Sequence, residues 1–181
     1  YELALESITY ENTNTDDPNT GDRTITWVVN DGADNSTGVT STITVAAVND
    51  APVLSDAGAT LAYSEGDGAQ VIDAALTISD VDDTNIESAS VSISAGFVSG
   101  EDVLAFTDTG TITGSYNATT GVLTLSGSDT LANYEAALRS VTYENLSDHP
   151  AAGLRTFEFT VHDGDVLSAP GTRDLNLTPV N

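Results

Sequence analysis

YELALESITYEN, residues 1–12, and YEAALRSVTYEN, residues 134–145, are the same at nine of twelve positions. The match resumes after a one-residue slip. Arg23-Thr24-Ile25-Thr26-Trp27-Val28-Val29-Asn30-Asp31-Gly32 aligns with Arg155-Thr156-Phe157-Glu158-Phe159-Thr160-Val161-His162-Asp163-Gly164, and Val48-Asn49 with Val180-Asn181. A fixed internal period marks a chain built from stacked copies of one unit. Residues 1–48 read as the C-terminal third of one copy, and residues 49–181 as one complete copy.

The pattern within a copy is that of a β-sandwich. Phe157, Phe159 and Val161 fall on one face at period two, and Ile25, Trp27 and Val29 repeat this in the first copy. IESASVSIS, residues 86–94, reads as a strand with imperfect alternation, and TITGSYNATTGVLTLSG as two strands around a turn near Ala118–Gly121. A final strand is expected at 172–178, matching 40–46. One short helix, about 130–139, is expected in SDTLANYEAALRS, capped by Ser128 or Asp129, with Leu131, Tyr134, Ala137 and Leu138 as its apolar stripe. The fold class is therefore all-β, an immunoglobulin-like Greek-key sandwich with one short helix per copy. Tyr1 aligns with the middle of that helix, and the chain contains no Met, so it reads as a segment of something longer. Three strands cannot bury a core alone. Residues 1–48 are thus expected to be complemented by another part of their copy or by a strand-swapped pairing.

Composition narrows the function. There are 28 acidic residues against four basic ones, a formal net charge of −24. A surface of that sign repels nucleic acid and anionic membranes, so neither is expected as a partner. Cysteine is absent, which removes disulfides and thiolate metal sites. Lysine is absent too, so Lys–Asn isopeptide links are unavailable. Excess charge opposes compaction. It suits either an acidic surface for high salt or a set of sites at which divalent cations cancel it.

The acids gather where a joint between copies would lie. AAVNDAPVL, residues 46–54, supplies Asn49 and Asp50 and then Pro52, which stiffens entry to the first strand. SDVDDTN supplies Asp80, Asp82 and Asp83, and VHDGD supplies Asp163 with Asp165 two residues on. The TYEN turn of the preceding copy supplies Glu11. Calcium takes six to eight oxygens from carboxylates and carbonyls, which such turns offer together. Asp-rich turns also form without metal, since Asp caps turns well.

VNDAPVL taken with SEGD, DVDD and VHDGD resembles the cadherin-like repeats of large bacterial RTX adhesins exported by type I secretion. The resemblance implies a calcium-binding extender on the bacterial cell surface, serving cell adhesion or biofilm, with neighbouring repeats as its partners and any host-cell or surface ligand held by other domains. It implies metal ligation by Glu11, Asn49, Asp50, Asp80, Asp82 and Asp163. Glu65, Glu144 and Asn181 would form the matching half of the next joint. Ala47 and Ala51 depart from the linker pattern of cadherins, as does the lack of an acid before Glu11. One or two ions are therefore expected rather than three.

Catalysis finds no motif. His149 lies in a loop, His162 replaces the Asn30 of the other copy, and no nucleophile elbow, phosphate loop or zinc-protease helix is present. The alternative is a calcium-dependent carbohydrate-binding module. It would need exposed aromatics, for which Tyr63 and Tyr116 are the candidates, because Trp27 aligns with a core position.

Overall fold

The computed structural model describes residues 2–55 and 58–180. The chain divides into two compact units, Tyr1–Asn49 and Asp50–Asn181.

The first unit holds a helix, α1 (Glu2–Glu6), and a hairpin of β1 (Arg23–Trp27) and β2 (Val39–Ile43), with Arg23 opposite Ile43 and Trp27 opposite Val39. Its strand alternates as expected, but only between half-buried and exposed.

The second unit is the sandwich. Its strands are β3 (Val53–Ser55), β4 (Leu61–Ser64), β5 (Gln70–Val71), β6 (Thr77–Ser79), β7 (Asn85–Ala95), β8 (Asp102–Ala105), β9 (Thr113–Asn117), β10 (Val122–Thr130), β11 (Thr142–Asn145), β12 (Gly153–His162) and β13 (Gly171–Thr178), with α2 (Leu131–Arg139) between β10 and β11. One sheet runs β4-β13-β12-β7-β10-β9, and the facing strands form β5-β11-β8 and β3-β6. Every pairing is antiparallel except β4 with β13.

β12 shows why the alternation reads so cleanly. Arg155, Phe157, Phe159 and Val161 are buried in strict succession, and β12 is flanked on both sides by strands. β7 alternates imperfectly because β10 slips past it between Ser126 and Asp129. Gly127 sits in that irregularity at φ 125°, where a Cβ would lie 2.2 Å from the carbonyl oxygen of Thr111, so only glycine fits. The core joins Phe157, Phe159, Tyr134, Leu138, Leu123, Leu125 and Leu175.

Two expectations need correction. The helix is capped by Thr130, whose hydroxyl accepts from the amide of Asn133, and not by Ser128 or Asp129. β10 keeps its pairing with β7 through Asp129 and Thr130, so those residues are still strand when the helix is due to begin. Tyr63 is a core residue, 1 % exposed, and not a surface aromatic. Its parallel pairing with Leu177 places it on the inner face, where its ring meets Tyr143 edge-on at 5.2 Å.

Candidate functional site

The second unit gathers carboxylates at one end of the sandwich. Asp80 follows β6 and Asp82 and Asp83 precede β7, while Asp163 follows β12. His162 pairs with Ser88 near the start of β7, which brings the Asp163 turn to the same end as the Asp80–Asp83 turn. The turn is locked by its own backbone. Asp80 Oδ1 accepts from the amides of Asp82 (3.1 Å) and Asp83 (3.0 Å). Asp163 Oδ1 accepts in the same way from Asp165 (2.8 Å) and Val166 (2.7 Å). The amide of Asp50 donates to Asp82 Oδ2 at 3.0 Å, which draws the strand-leading residues onto the turn.

These bonds engage Asp80 Oδ1, Asp82 Oδ2 and Asp163 Oδ1. Asp80, Asp82 and Asp83 each present an oxygen, and the three lie within 4.8 Å of one another. Asp80 Oδ2 and Asp82 Oδ1 are buried without a hydrogen-bond donor. Burial raises the pKa of Asp80 above its ordinary value, and Asp82 beside it adds to the rise against the pull of the amides of Asp83 and Asp82. Asp83 is raised as well, first by burial and then by the negative charges of Asp80, Asp163, Asp82 and Asp165. Like charges at this range oppose one another's ionisation. A divalent cation with oxygen ligands relieves that opposition, and the donor set is all oxygen, as calcium prefers over softer metals.

Of the residues expected to bind metal, Asp50, Asp80, Asp82 and Asp163 thus belong to one end of the second unit. Asp83 belongs with them, and so does Asp165, which the sequence offered only as a neighbour of Asp163. Glu11 and Asn49 are part of the first unit, with Glu11 exposed beyond α1.

Glu65 and Glu144 meet at the other end. Both line an open pocket of about 440 Å³ together with Asn145, Ser147, Asp148 and Val180. Glu65 Oε2 accepts from the amide of Val180 at 2.9 Å. Asn181, the third expected member, lies outside the described residues. β12 has ten residues and runs from Gly153, opposite Leu177 and hence near this pocket, to His162 beside the aspartate cluster. At roughly 3.3 Å per residue the two acidic ends stand about 30 Å apart.

The two tyrosines named for the carbohydrate alternative do not form an exposed platform. Tyr63 is in the core, and Tyr116 is half-buried with its hydroxyl donating to the carbonyl of Asp102 at 2.8 Å.

No family model matches this chain. It is similar to halomucin from the archaeon Haloquadratum walsbyi, with 35 % identity over 137 residues. That similarity covers 73 % of this chain and 2 % of halomucin, so this chain corresponds to a very small part of the relative's length.

Proposed function

We propose that this chain is a calcium-stiffened spacer, a repeat segment of a large extracellular surface protein that holds other domains away from the surface. The observation that carries the reading is the pair of buried, donorless oxygens on Asp80 and Asp82 within a set of five neighbouring aspartates. A protein gains nothing by burying like charges unless something of opposite sign joins them. The internal period, the acidic groups at both ends of β12 and the similarity to a far longer protein support the tandem arrangement. Calcium would bind Asp80, Asp82, Asp83 and Asp163, with Asp50 adjoining. In a tandem array Glu11 and Asn49 would complete the shell from the copy before, while Glu65, Glu144 and Asn181 would serve the copy after. The role is mechanical and electrostatic. Without the ion, facing carboxylates repel and the joint bends; with it, they share a charge and the angle between copies is fixed. Adhesion, biofilm and type I export rest on the likeness to RTX adhesins. Halomucin is archaeal and lends no support to the bacterial source that likeness implied, which the spacer reading does not need.

Calorimetric unfolding with and without calcium tests it. Modules of this kind bind at about 0.1–1 mM. Calcium at a hundred times its dissociation constant should stabilise the second unit by about 2.7 kcal/mol. Asp82→Asn should abolish most of that gain. A melting temperature that follows ionic strength alike in calcium, magnesium and sodium chloride would return the acids to the plain role of a high-salt surface.

A further inference from the structure

The triplet Asn-x-Ser/Thr is the acceptor signal for asparagine-linked sugar. It stands in this chain at Asn35, Asn117, Asn145 and Asn176. Two of the four share one local geometry. Asn145 Oδ1 accepts from the amide of Ser147 at 3.0 Å, and Asn117 Oδ1 from the amide of Thr119 at 3.0 Å. Such a turn holds the oxygen against the backbone and directs Nδ2 away from it. Beyond that the two part. Asn145 is 6 % exposed, and its Nδ2 donates to Asp102 Oδ1 at 2.7 Å. Asn117 is exposed at the end of β9, and Ala118, Thr119 and Thr120 after it are exposed as well. The amide of Thr120 also donates to its Oδ1, at 3.3 Å, so two donors identify that atom as the oxygen. Its Nδ2 has no hydrogen-bond partner among the described residues.

The other two triplets are tied down. Asn176 is exposed, but its backbone lies in β13 between Leu154 of β12 and Ala62 of β4. Asn35 is exposed, but Asn30 Nδ2 donates to its Oδ1 at 2.8 Å, and Ser36 is bonded to Val29 through both amide and hydroxyl. A transferase draws the triplet into its own cleft, which a hairpin turn at the surface allows and a strand paired on both sides does not.

We propose that Asn117 is a glycosylation site, and that the fold rather than the triplet selects it. The substrate is a sugar activated by a phosphate at its anomeric carbon, delivered by a separate transferase. Asn117 Nδ2 bonds to that carbon and the bond from carbon to phosphate oxygen breaks. The phosphate leaves with the electron pair, and the amide nitrogen gives up one of its two protons. β9 is an edge strand of the six-stranded sheet, and a sugar at its end obstructs pairing with another molecule's edge. The inference does not depend on calcium.

The test is glycopeptide mass spectrometry on the protein recovered from the surface of the cells that make it. The peptide holding Asn117 should carry sugar, and the peptide holding Asn145 none. Thr119→Ala keeps the backbone amide that forms the turn but removes the hydroxyl of the triplet, and should abolish the sugar. Thr119→Ser should retain it. Both variants should unfold with the parent, because the side chain is exposed, so a lost sugar is not a lost fold. The form of the sugar identifies its donor. A ladder built up from a single hexose marks a nucleotide-linked sugar, and one preassembled block marks a lipid-linked oligosaccharide. A bare Asn117 overturns the inference. Sugar on Asn145 overturns it equally, since exposure would then not be what selects the site, and so does sugar on Asn117 that survives Thr119→Ala.

Discussion

Leu5 and Leu138 stand at the same place in the same twelve-residue sequence, yet Leu138 is wholly buried and Leu5 only half. The contrast extends along both units. Val141 is 0 % exposed and its counterpart Ile8 57 %; Tyr143 is 0 % and Tyr10 41 %. α2 runs nine residues behind a Thr130 cap, whereas α1 is described over five with no buried residue. Local pattern produced a helix and a hairpin in both places, so propensity and periodicity are sufficient for the elements. They are not sufficient for a core. An apolar stripe is buried only when another element covers it: in the second unit Tyr143 of β11 meets Phe157 of β12, and β6, β7 and β10 pack against α2.

The sharpest way to break this comparison is to remove the same residue from each unit. Arg155→Ala strips the buried Asp102 of its counter-charge and should cost about 3–5 kcal/mol. Arg23→Ala removes a guanidinium bound to backbone carbonyls and should cost less than about 0.5 kcal/mol. Urea unfolding of the two variants reads both. Equal losses would mean that the two units are held by similar interactions and that the difference in exposure has no energetic content.

A smaller effect is expected at the helices. Leu138→Ala opens a hole in a filled core and should cost about 3 kcal/mol. Leu5→Ala should fall within about 0.5 kcal/mol of the parent, as surface substitutions do. Thermal unfolding followed by circular dichroism separates the two. A large loss at Leu5 would show that α1 is packed far more heavily than its exposure indicates.

Much of the architecture was legible from the sequence because it depends on short-range pattern. β12 announces itself through Phe157, Phe159 and Val161, and α2 through Leu131, Tyr134, Ala137 and Leu138. The acidic end was legible for a similar reason, since Asp80, Asp82 and Asp83 are neighbours in the chain and converge within one turn. What stayed hidden depends on partners distant in sequence. Tyr63 sits between alanine and serine beside a polar SEGD turn, and only its parallel pairing with β13 makes it core. Asp102, in the acidic stretch GEDVL, reads as another loop carboxylate. Its burial follows from Tyr143, Asn145 and Arg155, all more than forty positions away. A signal for that network was present all the same: a tyrosine, an asparagine and an arginine repeated unchanged in both copies, where exposed counterparts such as Leu3 and Ala136 differ.

The smallest effect sharpens the comparison at one hydroxyl. Tyr134 lies on the buried face of α2 and donates to the carbonyl of Gly127 at 2.6 Å, in the bulge that lets β10 slip past β7. Burial, with the negative charges of Glu87 and Asp129, pushes its pKa up to about 12 from the ordinary 10. Below pH 10 the tyrosine is neutral both folded and unfolded, and its contribution is fully present. Between pH 10 and about 12 the unfolded chain releases this proton and the folded one keeps it, so stability falls as the pH rises. Tyr134→Phe should therefore have two opposed signatures. At pH 7 it loses the hydrogen bond to Gly127, about 1 kcal/mol. From pH 10 upward the penalty should shrink, because phenylalanine has no proton for the unfolded state to release. Denaturant midpoints of parent and variant at pH 7, 10 and 11 measure the difference. A penalty that stayed constant or grew would mean that the hydroxyl ionises as readily in the folded unit as outside it, and that the covered face of the helix is not closed to water.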